Sequence, residues 1–229
     1  MPEKDKVISQ AIKEVIGSTT KGRGKVIPLV RRKHPHLSKS KIRRVYEKEG
    51  FALMKRMKSR KRNNPKNPAN VPLKRNEQWA IDFMHDSLAN GRKIRLLTII
   101  DPYNRECKGI YIGHNLPAER VIELLEQCIE KYGKPCYIRT DNGPEFISKK
   151  FQLWLKEKTI GWSKIRKGSP QENCFIERFN KTVRYDFLDC NLFFHTASAN
   201  EMAEEFRREY NEERPHASLN DLTPIEYAA

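Results

Sequence analysis

The chain has 229 residues, 38% of them apolar, which suits one substantial domain with a small appendage. No apolar run approaches a membrane span, and the lysine-bearing start lacks the apolar segment of a signal peptide, so no membrane partner and a cytoplasmic location are expected. The net charge of +16 is unevenly placed: residues 1–75 carry +18 and residues 76–229 carry −2, which points to DNA or another polyanion at the N-terminal third.

Five cysteines at 107, 128, 136, 174 and 190 include no CxxC pair, which argues against a disulfide framework and against a zinc knuckle. His34 and His36 have no cysteine near them and read as surface or phosphate-contacting residues.

In chain order, Val7, Ile8, Ala11, Ile12, Val15 and Ile16 fall at helical spacing over residues 4–16. A second helix is expected over Gly24–Lys33, ended by Pro35, and a serine-capped basic helix from Ser38 toward Gly50. Residues 1–54 therefore read as a basic, helix-turn-helix-like DNA-binding segment, with Arg43 and Arg44 of the last helix as candidate DNA contacts. Residues 55–75 are rich in Lys, Arg, Asn and Pro and hold no acid, the composition of a basic linker.

Residues 76–229 read as the core. Trp79–Met84, Ile94–Ile100 and Gly109–Gly113 are short apolar runs separated by turn residues, an antiparallel meander. A helix opens at Pro117, a strand covers Cys136–Thr140, a helix runs from Pro144 to about Thr159, and a short strand covers Trp162–Ile165. The fold class is α/β, a sheet covered by helices. A last helix is expected over Glu201–Glu213.

Three acids stand out. Asp82 interrupts an apolar strand, where an unpaired carboxylate costs several kcal/mol, and Asp141 closes a strand just before Gly143. Glu177 lies on a helix expected to start near Gln171, whose polar face also carries Asn173, Asn180, Lys181 and Arg184 while Ile176, Phe179, Val183 and Phe187 form the apolar stripe. Carboxylates from separate elements suit divalent cations and phosphodiester chemistry, and Asn173, Lys181 and Arg184 are candidate DNA contacts. Asp141 could equally be a turn residue. Asp86 and Asp101 read as structural acids rather than primary ligands.

The set Trp79-x-x-Asp82-Phe83, Thr98-x-x-Asp101-x-x-x-Arg105, Thr140-Asp141-Asn142-Gly143-x-Glu145-Phe146, Ser169-Pro170-x-x-Asn173-x-x-x-Glu177 and Arg184 resembles the insertion sequence 3 family of bacterial transposases. The similarity is to that family's second-frame, integrase-like product, related to retroviral integrases. The tail, Tyr210-Asn211-x-x-Arg214-Pro215-His216-x-x-Leu219 with Thr223-Pro224, is similar to the family's C-terminal signature.

The resemblance implies a ribonuclease-H-like mixed five-stranded sheet and a catalytic triad of Asp82, Asp141 and Glu177 holding two Mg²⁺ or Mn²⁺ ions. It implies cleavage that leaves a 3′-hydroxyl at the element's end, followed by attack of that hydroxyl on a second phosphodiester. It further implies a first-frame transposase product as partner, a homo-multimer on DNA and a nucleoid-associated protein. Two other readings stay open: a ribonuclease-H-type nuclease that cuts without joining, and a non-catalytic DNA-binding regulator derived from a transposable element. Tyr210, Arg214 and His216 could touch DNA, but the favoured expectation is that they lock the last helix, Glu201–Glu213, against the core, and His216 is not expected to be a general base.

Overall fold

The structure is a computed structural model, and it describes residues 3–17, 22–51, 71–165 and 173–229. Most of the expected linker and the motif residues Ser169 and Pro170 lie outside the described residues. Among the described residues, no helix is long and apolar enough to cross a membrane. The chain divides into two compact units, residues 1–63 with 214–223 and residues 64–213 with 224–229.

The first unit is built on helices α1 (Glu3–Ile16), α2 (Arg23–Lys33) and α3 (Lys39–Lys48). Ile8, Ile12 and Val15 of α1 share one buried cluster with Val26 and Val30 of α2 and Ile42 and Val45 of α3. The Ser38 hydroxyl accepts the Lys41 N–H at 3.4 Å, the cap expected from sequence. Residues 214–223 group with these helices by their contacts. The physical reason is a pair of carbonyl contacts: Lys25 donates to Pro215 O, and Arg32 donates to Asp221 O at 3.1 Å.

The second unit holds a five-stranded sheet in the order β3-β2-β1-β4-β5, with β1 Gln78–Ser87, β2 Lys93–Ile100, β3 Cys107–Gly113, β4 Tyr137–Thr140 and β5 Gly161–Lys164. The β1–β2 and β2–β3 pairs are antiparallel, as the meander expectation has it, and the β1–β4 and β4–β5 pairs are parallel. Between β3 and β4 runs α4 (Ala118–Tyr132), and between β4 and β5 run α5 (Pro144–Ile147) and α6 (Lys149–Glu157). The single helix expected over that last stretch is broken at Ser148, whose hydroxyl accepts the Phe151 N–H at 3.2 Å and starts α6 anew.

Strand alternation sorts the core into two layers. Trp79, Ile81, Leu97 and Ile99 point toward α4 and α6, where Val121, Leu125, Phe151 and Leu155 cover them. Ala80, Met84, Leu96 and Ile100 point the other way, under Ile176, Phe179 and Val183 of α7 (Cys174–Asp186) and Ala199 and Ala203 of α8 (Thr196–Arg208). Asp82 and Thr98 belong by parity to this second face.

The last helix begins earlier than expected and ends differently. After Arg208 it widens into a π-helical turn, Glu209–Glu213. That turn carries the Asn211 amide onto β3, where it pairs with both the N–H (2.8 Å) and the C=O (2.9 Å) of Cys107. Asn200 of α8 does the same to Ile112, at 2.9 and 2.8 Å. Two side-chain amides thus satisfy the open edge of β3 where a further strand would otherwise pair.

Candidate active site

Asp82 sits in the middle of β1, opposite Thr98 of β2. One carboxylate oxygen accepts the Phe83 N–H at 2.9 Å, and the other accepts the Asn180 amide at 2.8 Å. The Thr98 hydroxyl bonds to Asn180 Oδ1 at 2.8 Å and to Asp82 O at 3.1 Å, which fixes the amide so that its NH₂ faces the acid. Burial, together with the negative charges of Asp141 and Glu177 and against the two hydrogen bonds, pushes the Asp82 carboxyl up to about 6. Both other acids are therefore near enough to act on Asp82 through space.

Asp141 is exposed in the loop leaving β4, and its carboxylate accepts the Gly143 N–H at 3.0 Å. Its backbone is reached by a relay, Trp162 Nε1 to Thr140 Oγ1 at 3.0 Å and Thr140 Oγ1 to Asp141 O at 2.8 Å. Glu177 is exposed in the first turn of α7, with Ile176 and Phe179 buried on either side of it. Among the described residues, no three His, Cys, Asp or Glu side chains stand close enough to form a cage for one ion. Asp82, Asp141 and Glu177 thus share an electrostatic neighbourhood rather than a finished cage.

The expected DNA contacts are placed variously. Lys181 is exposed on α7, and Asn173 is buried at its N-cap with Oδ1 unpartnered among the described residues. Arg184 is engaged by Asp86 at 2.7 Å and by the His85 carbonyl. Arg43 pairs with Glu47 at 3.2 Å and Arg44 with the buried Asp5 at 2.5 Å, yet both guanidinium groups stay more than half exposed, at 59% and 57%. Asp101 is fully buried and accepts the N–H groups of Asn76 and Tyr103.

Three residues at the site were not singled out from sequence for a role. Asn180 lay on the expected polar face of α7, and only the contact across 98 positions shows that it holds Asp82. Arg95 and Glu145 join β2 to the Asp141 loop through a 2.5 Å ion pair. Burial acts to raise the Glu145 carboxyl, but the hydrogen bond from Arg95 and the nearby charges of Arg95 and His85 draw it below the ordinary carboxylate range.

Residues 72–170 match the integrase core domain family, and residues 158–224 match a second integrase core domain family. Over 201 residues the chain is 34% identical to an uncharacterized 31.7 kDa protein of insertion element IS407 from Burkholderia multivorans, covering 88% of this chain and 73% of that one. The chain belongs to the integrase-core family of insertion-sequence transposases. It is also 35% identical over 201 residues to an uncharacterized 39.2 kDa protein of insertion element IS476 from Xanthomonas euvesicatoria, of whose length it spans 58%. The fold is shared with the HTLV-2 integrase catalytic core domain, solved in complex with magnesium in a trimeric form: the TM-score is 0.54 at 24% identity, over 69% of this chain and 99% of that one. The sheet is thus ribonuclease-H-like, as the resemblance implied.

Proposed function

We propose that this chain catalyses the DNA chemistry of transposition: metal-dependent cleavage at an element's end, followed by joining of the freed 3′-hydroxyl to target DNA. Asp82, Asp141 and Glu177 are the acids that would hold two divalent ions, Mg²⁺ or Mn²⁺. The observation that carries this reading is Asp82, a half-buried carboxylate in the middle of a strand on which two further acids, Asp141 and Glu177, act through space. Such a donor set fits a divalent cation, whose charge would offset what burial and like charges cost. Bound there, the ions supply charge that stabilises an in-line displacement at phosphorus.

The chain's own residues have distinct tasks in this reading. Asn180, oriented by Thr98, holds the Asp82 carboxylate in one rotamer. The Gly143 N–H holds Asp141, and the α7 stripe seats Glu177 over the sheet. Lys181 and Asn173 contact DNA beside the acids, Arg184 reaches a phosphate on exchanging its Asp86 partner, and Arg43 and Arg44 contact the backbone from α3. A multimer on paired DNA ends and a first-frame partner belong to the same proposal.

A strand-transfer assay with labelled terminal DNA and Mg²⁺ tests it. Joined product supports the transposase reading, cleavage without joining favours a nuclease, and binding with neither favours a regulator. Asp141→Asn is expected to abolish chemistry while sparing DNA binding, and full activity in that variant would remove the triad. Removing residues 1–75 should flatten the salt dependence of binding; an unchanged slope would place the phosphate contacts elsewhere.

A further inference from the structure

We propose that Arg95 and Glu145 form a latch that fixes the strand bearing Asp82 against the loop bearing Asp141, making both of them positioning residues for the metal site; the inference rests on the function proposed above. The need for a latch follows from the sheet. Pairing between β1 and β4 covers only Gln78–Ala80 with Tyr137–Arg139, so it ends before Asp82 and before Asp141. Beyond that point no ladder hydrogen bond sets how far apart the two acids stand.

Side chains span the gap instead. Phe83, next to Asp82, stacks on Phe146 of α5, the short helix just past Asp141, with centroids 5.3 Å apart and planes 25° apart. The Arg95 guanidinium lies over the other partner of that stack, 4.1 Å from the Phe83 centroid, and donates to Glu145 Oε1 at 2.5 Å. Arg95 itself is anchored in the β2 ladder opposite His85 of β1. One guanidinium therefore grips the neighbour of the first acid and a residue of α5 four positions beyond the second.

Two further features point to position rather than stability as the purpose. The pair is largely shielded, with 26% and 12% of the side chains exposed, yet Arg95 Nε and Glu145 Oε2 are buried without a hydrogen-bond partner among the described residues. A shielded ion pair with unmatched atoms adds little net stability while holding a fixed geometry. The loop is also folded tightly around the pair: a Cβ on Gly143 would come 3.1 Å from Asp141 Oδ1 and 3.4 Å from Glu145 Oε2. Moving Glu145 would shift the bare Cα against which the Asp141 carboxylate rests.

The test uses the full chain with Glu145→Gln, Arg95→Lys and the exchanged pair Arg95→Glu with Glu145→Arg. Three quantities are read: DNA affinity without metal, the rise in melting temperature on adding Mn²⁺ or Mg²⁺, and the metal concentration giving half-maximal joining. Glu145→Gln is expected to raise that concentration about tenfold or more, the usual effect of losing a residue that orients a ligand, and to shrink the metal-induced melting shift. DNA affinity should stay as in the parent, Arg95→Lys should fall between, and the exchanged pair should recover part of the loss. Arg95→Lys carries the test if Glu145→Gln does not fold. Single variants with the parental metal requirement, whatever their metal-free melting temperature, overturn the latch alone. A parent chain that neither joins DNA nor is stabilised by metal overturns the acid-triad reading and the latch with it.

Discussion

Asp82 and Asp101 are both acids that burial pushes toward the neutral form, and they do opposite things in this molecule. Asp101 is surrounded by donors: the N–H groups of Asn76 and Tyr103 at 2.8 and 2.9 Å, and the charge of Lys108. Its neighbour Glu106 is saturated as well, by Lys108 at 2.7 Å, by two 3.0 Å bonds from Arg75 and by Asn104 at 3.1 Å. Asp82 receives two hydrogen bonds, but the charged side chains that act on it most are Asp141 and Glu177, of its own sign. Burial of an acid therefore does not mark function by itself. Asp101 has the cation Lys108 beside its like-charged neighbour Glu106, whereas the charges acting most on Asp82 are two further acids, the imbalance that the proposed metal site would use.

The comparison can be broken most directly by exchanging each acid for its amide. Asp82→Asn should lower cleavage and joining by about a thousandfold or more, the loss of several kcal/mol of charge stabilisation in the transition state. Asp101→Asn, assayed per folded molecule, should keep the parental rate. Equal losses in the two variants would erase the distinction.

The Asp101 cluster should show its worth in stability. Glu106→Ala leaves Lys108 buried without its hydrogen-bonded carboxylate, Asp101 acting on it only through space, and denaturant unfolding should register a loss of about 3–5 kcal/mol. A loss below about 1 kcal/mol would mean that the cluster contributes no more than an exposed ion pair does.

Asp82 predicts the reverse sign. Its folded value, about 6, lies above the ordinary 3.8, so the folded state binds the proton more tightly than the unfolded state does. Its contribution is fully present below pH 3.8 and is lost as pH rises through about 6. Metal-free Asp82→Asn should therefore be more stable than the parent at pH 8, on the order of 2 kcal/mol, with the difference vanishing below about pH 4. Unfolding curves at the two pH values check it, and added Mg²⁺ should favour the parent alone.

The smallest effect belongs to Asn180. Asn180→Ala removes one hydrogen bond to the Asp82 carboxylate, about 1 kcal/mol, and should move the Asp82 titration further upward. Carboxyl carbon shifts followed by NMR across pH read this directly, and an unmoved midpoint would mean that the amide does not support the charged form.

Much of the fold was legible because its signals are local. The meander, the Pro117 helix and the short strands after it follow from apolar runs and turn residues. The break at Ser148 was missed because Pro144–Thr159 carries a continuous helical pattern, and the cap shows only in the hydroxyl's contact with Phe151. The π-helical turn was missed for a different reason: it exists to bring Asn211 to a strand 104 positions away. The docking of Pro215 and Asp221 on α2 spans 190 and 189 positions and leaves no local pattern.

By itself the sequence determined which face each acid would take. Strand alternation puts Asp82 with Ala80 and Met84, and helical spacing turns Glu177 away from Ile176, Phe179 and Val183. The tertiary structure alone decided which acids are neutralised. Asp101 meets donors from Asn76 and the charge of Lys108, while Asp82 meets Asn180 and two further acids. Side-chain direction is set by the backbone period and is local, but the charge an acid feels comes from whatever the fold brings beside it.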